Sequence, residues 1–128
     1  MSRGLADTTV FVARESGRPL QADSLPDEIG VSVVTIGELR AGVLAAADVD
    51  TRDRRLATLT QALALDPLPI DGAVAESWAR LRLLLRDSQQ RMPVNDSWIA
   101  ATALALGVPV VTQDDDHVDI RGLPIIKV

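Results

Sequence analysis

The sequence predicts an α/β fold: a single-domain α/β/α sandwich over residues 1–128 with a central parallel sheet of four to five strands. Three observations predict it. Short apolar runs alternate with stretches whose apolar residues recur at helical spacing, and strands joined through helices make parallel sheets covered on both faces. No internal repeat, low-complexity tract or Pro/Gly/Ser-rich linker divides the chain. A domain of this length buries roughly two thirds of the surface its unfolded chain exposes, so one core suffices without a disulfide or structural zinc.

Taken in order, Leu5 to Val12 reads as a first strand, and the segment from Arg14 to Glu28, interrupted by Gly17, Pro19 and Pro26, as loop or short irregular helix. Ile29 to Val34 is a second strand. From Thr35 to about Ala46, Ile36, Leu39 and Val43 fall on one helical face, and Leu56, Leu59 and Leu63 mark another. A short apolar piece, Leu68 to Ile70, precedes Asp71, which reads as the N-cap of a long helix. That helix has Val74, Trp78, Leu81 and Leu85 on one side and Glu76, Arg80 and Asp87 on the other. After Pro93, Asn95 to Leu106 forms an Ala-rich helix stopped by Gly107. Val108 to Thr112 is a buried strand and Leu123 to Lys127 the last.

Composition excludes several chemistries. There is no cysteine and one histidine, so there is no thiol nucleophile, disulfide or Cys/His zinc cluster, which suits a reducing cytoplasm. The N-terminal apolar run is broken by Asp7, and no later segment reaches membrane-spanning length, so a soluble, unprocessed protein is expected. The net charge of −5 argues against a nucleic-acid binder coated in positive charge. Yet 12 of the 13 basic residues are arginine, the group suited to bidentate phosphate contact, although codon bias in a GC-rich genome gives the same ratio. No Gly-rich loop ends in Gly-Lys-Ser/Thr, which disfavours a nucleotide-triphosphate enzyme. A phosphoacceptor receiver needs a lysine after its last strands, and the only lysine is the penultimate residue, Lys127.

Asp outnumbers Glu by 14 to 4, which points to strand ends and caps rather than helix surfaces. Asp7 sits within a strand-like run, as either a satisfied turn or strand-edge residue or a functional carboxylate. Thr35-Ile36-Gly37-Glu38 has the form of a capping box, in which Glu38 would accept from the N–H of Thr35. Asp96 opens a helix, where the exposed N–H groups favour a carboxylate. Asp114, Asp115 and Asp116 follow the fourth strand, and in extended backbone Asp114 and Asp116 share a side. Each residue alone has a bland explanation. Together they deliver carboxylates from four segments to the carboxyl ends of a parallel sheet, where ligands bind. Oxygen donors without histidine or cysteine select Mg²⁺ or Mn²⁺.

Ala6-Asp7-Thr8-Thr9-Val10, Val34-Thr35-Ile36-Gly37-Glu38-Leu39-Arg40-Ala41-Gly42, Asn95-Asp96-Ser97-Trp98-Ile99-Ala100-Ala101-Thr102-Ala103 and Val111-Thr112-Gln113-Asp114-Asp115-Asp116 resemble, in order and spacing, the acidic motifs of PIN-domain ribonucleases, especially VapC-type toxins of bacterial toxin–antitoxin pairs. The resemblance spans nearly the whole chain. It departs at Thr9, where the family usually has Asn, and at His117, where an aromatic commonly stands. It implies a Mg²⁺-dependent endoribonuclease, with Mn²⁺ as a substitute, that cleaves tRNA or rRNA by metal-activated water. The implied metal and catalytic carboxylates are Asp7, Glu38, Asp96 and Asp114, with Asp116 as a fifth ligand or outer carboxylate, Thr8 and Thr112 orienting them, and Asp115 merely exposed. Arg14 and Arg40 are candidate phosphate contacts or solvated residues. The resemblance further implies a homodimer, a VapB-type antitoxin covering the acidic site, DNA contact only through that antitoxin, and a bacterial cytoplasmic location. The rival reading is a PIN-fold module that holds RNA or protein without cutting it.

Overall fold

Alternation in the strands builds the sheet. In the computed structural model, which describes residues 1–128, β1 (Arg3–Ala6) sends Leu5 to one face and Ala6 to the other, each fully buried. β1 pairs in parallel with β2 (Glu28–Val31) on one side and β3 (Val110–Thr112) on the other, and β3 pairs in parallel with β4 (Ile125–Lys127). The order is β2-β1-β3-β4. The chain leaves β1 toward one edge and returns across it to β3, so the order reverses between β1 and β3. The crevice beyond the carboxyl ends of those two strands is where such folds bind ligands.

Five helices cover the sheet: α1 (Thr8–Glu15), α2 (Val33–Leu44), α3 (Val49–Leu63), α4 (Gly72–Asp87) and α5 (Val94–Leu106). Val10 and Phe11 of α1, Leu39 and Val43 of α2, and Leu59 and Ala62 of α3 form one core with Ala6, Val31 and Val111. Leu81 and Leu85 of α4, and Ile99, Ala100 and Ala103 of α5, form a second with Leu5 and Val110. The predicted α/β/α sandwich is therefore observed, with four strands. Leu68 makes only a single parallel bridge to Ser32, so the short apolar piece does not become a fifth strand.

Two boundaries and one helix face differ from the sequence prediction. The run Thr8 to Val12, rich in β-branched residues, is helical, and Asp7 caps it by accepting from the N–H of Thr9. Burial of Val10, Phe11 and Ala13 overrides local strand propensity. The helix predicted from Thr35 begins at Val33, capped by the Ser32 hydroxyl, so the Thr35–Glu38 capping box does not form and Thr35 N–H bonds Ser32 O at 3.0 Å. On α3 only Leu59 of the expected apolar face is buried; Leu56 and Leu63 remain exposed. The caps at Asp71 and Gly107 occur as predicted, the latter with φ of 68°. No helix is long and apolar enough to cross a membrane.

Candidate active site

The last residue of β1 hands the chain to α1 through Asp7, which fixes that carboxylate beside β3. Asp7 N–H donates to Val111 O at 2.9 Å, and Leu5 N–H to Pro109 O at 2.9 Å, so the end of β1 is held in register with β3. The Thr9 N–H and hydroxyl both donate to Oδ1 of Asp7. With its proton committed to Asp7, Thr9 Oγ1 accepts from Gln113 N–H at 2.9 Å. It also lies 3.2 Å from Thr112 Oγ1, which accepts from Asp114 N–H at 3.0 Å. Thr9, standing where a departure was noted, thus ties the start of α1 to the loop after β3.

Glu38 is positioned by a hydroxyl relay rather than by its own helix terminus. Thr8 Oγ1 donates to Glu38 Oε1 at 2.7 Å, and Thr8 lies 3.0 Å from Thr35 Oγ1. A threonine hydroxyl has one proton, so with Thr8 donating to Glu38 the Thr35 hydroxyl donates to Thr8. After β3, Asp116 N–H donates to Asp114 Oδ1 at 3.1 Å, a side-chain turn that folds the acidic loop back. Asp115 points elsewhere and pairs with Lys127 at 2.6 Å, which holds its carboxyl below the ordinary range.

Asp7, Asp96, Asp114 and Asp116 line one pocket, with apolar walls from Met92, Ile99 and other residues. Glu38 lies in an adjoining depression with Asn95, the neighbour of Asp96. Electrostatics link the two. Burial raises the pKa of Asp96, and the charges of Asp7, Glu38 and Asp114 raise it further. Burial also raises Asp7, against hydrogen bonds from Thr112, Thr9 and the Val10 backbone. Asp7, Asp96, Asp114 and Asp116 therefore share one pocket, and Glu38 stands outside it but close enough for its charge to act on Asp96.

Over residues 5–123 the sequence matches the PIN domain family. The chain belongs to that family. This PIN domain is 47% identical to Ribonuclease VapC5 of Mycobacterium tuberculosis over 125 residues, covering 98% of the chain and 93% of that relative. It is also 47% identical to Ribonuclease VapC4 of the same organism over 126 residues, covering 98% of the chain and 97% of that relative. A crystal structure of VapBC-5, a member of the VapBC family of toxin–antitoxin systems from M. tuberculosis, superposes with a TM-score of 0.90 at 44% identity over 100% of both chains. VapBC2 of Rickettsia felis, solved with a DNA fragment from its promoter, shares the fold with a TM-score of 0.82 at 19% identity over 98% of both chains.

In this PIN domain the donor set suits a hard divalent cation, since the polar side chains lining the pocket are those of Asp7, Asp96, Thr112, Asp114, Asp116 and the lone His117. No three acidic or histidine side chains are gathered around one point closely enough to share an ion as they stand. Asp114 and Asp116 are exposed, and Asp96, though open to solvent, is partly desolvated by the pocket wall. Arg14 and Arg40, the candidate phosphate contacts or solvated residues, line none of the depressions that hold the acids. Arg18, missed in the sequence, borders Thr9, Gln113 and Asp114. Its signal was Ser16-Gly17: Gly17 at φ 74° ends α1, and Arg18 N–H bonds Ala13 O at 2.8 Å, returning the chain toward the acidic loop. Trp78 was expected only as core. It stacks on Trp98 with centroids 4.3 Å apart and donates its Nε1–H to Ser97, the neighbour of Asp96.

Proposed function

We propose that this PIN domain is a divalent-metal-dependent endoribonuclease toxin of the VapC type, using Mg²⁺, with Mn²⁺ able to substitute, to cleave tRNA or rRNA. A cognate VapB-type antitoxin covers its acidic site, and the toxin works as a homodimer in the bacterial cytoplasm, touching DNA only through the antitoxin. The names of its M. tuberculosis relatives, ribonucleases from VapBC pairs, support the chemistry and the partner. The observation that carries the reading is the pocket that Asp7, Asp96, Asp114 and Asp116 line together, where the neighbouring charges of Asp7, Glu38 and Asp114 add to burial in raising the pKa of Asp96. A carboxylate so placed favours any positive charge brought to it.

Asp7, Glu38, Asp96 and Asp114 would hold the ion, with Asp116 as a further carboxylate. The chemistry supplied by a bound divalent ion is neutralisation of phosphodiester charge and a lowered pKa for an attacking water. Thr9 holds the Asp7 carboxylate in one orientation, and the Thr35–Thr8 relay does the same for Glu38. Such positioning matters because displacing a catalytic group by about 1 Å costs on the order of 100-fold in rate. Leu44 at the end of α2 and Val49, Leu56 and Leu63 on α3, all exposed, supply apolar area for an antitoxin or a second copy.

The test is cleavage of end-labelled total RNA by the antitoxin-free protein in Mg²⁺, Mn²⁺ or EDTA, beside Asp96→Asn. Discrete cuts that need both metal and Asp96 are expected. Cleavage that survives in EDTA, or in Asp96→Asn, would sink the reading; RNA binding without cleavage would favour the non-cutting module.

A further inference from the structure

An acidic protein that handles a polyanion needs positive charge near its site, and the carboxylate pocket contains none. On the α4–α5 side, Met92 forms a wall common to that pocket and to a second depression. The second depression is lined by Arg82, Leu85, Arg86, Gln90, Arg91 and Met92, with no acidic residue.

The turn that builds it is unfavourable in isolation. Helix α4 ends with Gln89 at φ 56°, a left-handed conformation in which a side chain bearing Cβ is disfavoured. Gln90 N–H to Leu85 O at 2.9 Å and Gln89 N–H to Arg86 O at 3.2 Å hold the turn and bring Arg91 back against the helix end. The guanidinium groups are lightly engaged. Arg82 stands over the Trp78 ring at 5.2 Å, Arg86 meets only the exposed Asp87 at 3.3 Å, and Arg91 makes no ion pair.

We propose that Arg82, Arg86 and Arg91 form a phosphate-backbone site for single-stranded RNA, which holds the strand flanking the scissile bond as it crosses Met92 into the carboxylate pocket. The site rests on the nuclease reading for its neighbour but not for its binding. Guanidinium forks match phosphate oxygens bidentately, and three of them grip a backbone without reading sequence.

Binding is measured in EDTA by fluorescence anisotropy of a labelled mixed-sequence single-stranded RNA, over a salt series, with the full chain. The double variant Arg86→Gln, Arg91→Gln should bind about 10-fold or more weakly at low salt. Its log K against log salt slope should be shallower by about 1.4, the release expected for two lost phosphate contacts on a single strand. Arg52→Gln, Arg54→Gln removes the same charge from exposed positions of α3, on the opposite face of the sheet, and should change neither value appreciably. Arg91→Lys keeps the charge without the fork and should fall between parent and double variant. Unfolding midpoints verify that each variant is folded. Equal losses in the two double variants, parent-like binding by Arg86→Gln, Arg91→Gln, or a parent that does not bind RNA would overturn the site. Parent-like binding would also be the result if these arginines serve an acidic protein partner. Cleavage in Mg²⁺ is scored separately: arginine-dependent binding without cleavage keeps this site and removes the nuclease reading, and cleavage with arginine-independent binding does the reverse.

Discussion

At Asp7 the demands of folding and of chemistry conflict. The carboxylate caps α1, yet burial raises its pKa above 3.8 despite four hydrogen-bonding contributions that lower it. The folded chain therefore binds the Asp7 proton more tightly than the unfolded chain, and its contribution to stability falls as pH rises from below 3.8 through the raised value. Ionised Asp7 costs stability at neutral pH. Asparagine caps a helix about as well as aspartate. Asp7→Asn should accordingly melt at a higher temperature than the parent at pH 7, with the difference shrinking as pH falls through the raised value and gone below 3.8, while cleavage is largely lost. A variant less stable than the parent at neutral pH would show that the hydrogen bonds outweigh burial. Thr9→Val keeps shape but deprives Asp7 of a donor and Gln113 N–H of its acceptor. Leaving such groups unpaired costs about 1–3 kcal/mol, which urea unfolding would register along with a slower cleavage rate. Sequence alone marked Asp7 but not its geometry, because Asp7-Thr8-Thr9-Val10 reads equally as strand and as capped helix until Val10 and Phe11 find the core.

At the scale of elements, periodicity was legible wherever one face is buried by contacts that the helix makes along its whole length. Helix α4 follows that rule, with Val74, Leu81 and Leu85 inside and Asp71 at its cap. Helix α3 does not, because it packs through Thr58, Leu59 and Ala62, a narrower seam than the Leu56–Leu59–Leu63 pattern suggests. Glu38 shows the limit of a local motif. Its capping-box spacing to Thr35 is real, but Ser32 caps first, and what Glu38 meets is Thr8 of another element, a pairing that no single window of sequence contains. The close fit of β1 to its neighbours gives a prediction at this scale. A Cβ on Gly4 would stand 2.6 Å from Val111 Cγ2 and 2.9 Å from Pro26 Cγ, so Gly4→Ala must push β1 away from β3. Overpacking of this kind costs about 1–3 kcal/mol. Since Asp7 hangs from the end of β1, cleavage should fall with stability, whereas Gly37→Ala, inside α2 where a Cβ would meet nothing within 4 Å, should melt no lower than the parent because alanine favours a helix over glycine.

For the whole molecule, a parallel sheet whose order reverses between β1 and β3 concentrates negative charge at one end of a domain that already carries −5. Asp7 and Asp96 both hold protons to higher pH than ordinary carboxylates, and the charges of Asp7, Glu38 and Asp114 contribute to the second shift. A divalent cation competes with those protons, so its affinity should rise with pH above 3.8 and level off once both groups are ionised. Calorimetric titration with Mn²⁺ in two buffers of different ionisation enthalpy tests this directly. Below the plateau the apparent heats should differ between buffers because binding releases protons, and at higher pH they should converge. The same cation relieves the repulsion that the fold tolerates, so Mn²⁺ should raise the melting temperature of the parent in proportion to its binding. Asp96→Asn removes a ligand and one of the repelling charges together. It should start from a higher melting temperature than the parent in EDTA and gain less from Mn²⁺. A parent whose melting temperature does not respond to millimolar Mn²⁺ would mean that the four carboxylates do not converge on an ion, and the pocket would then await a basic group from a partner instead.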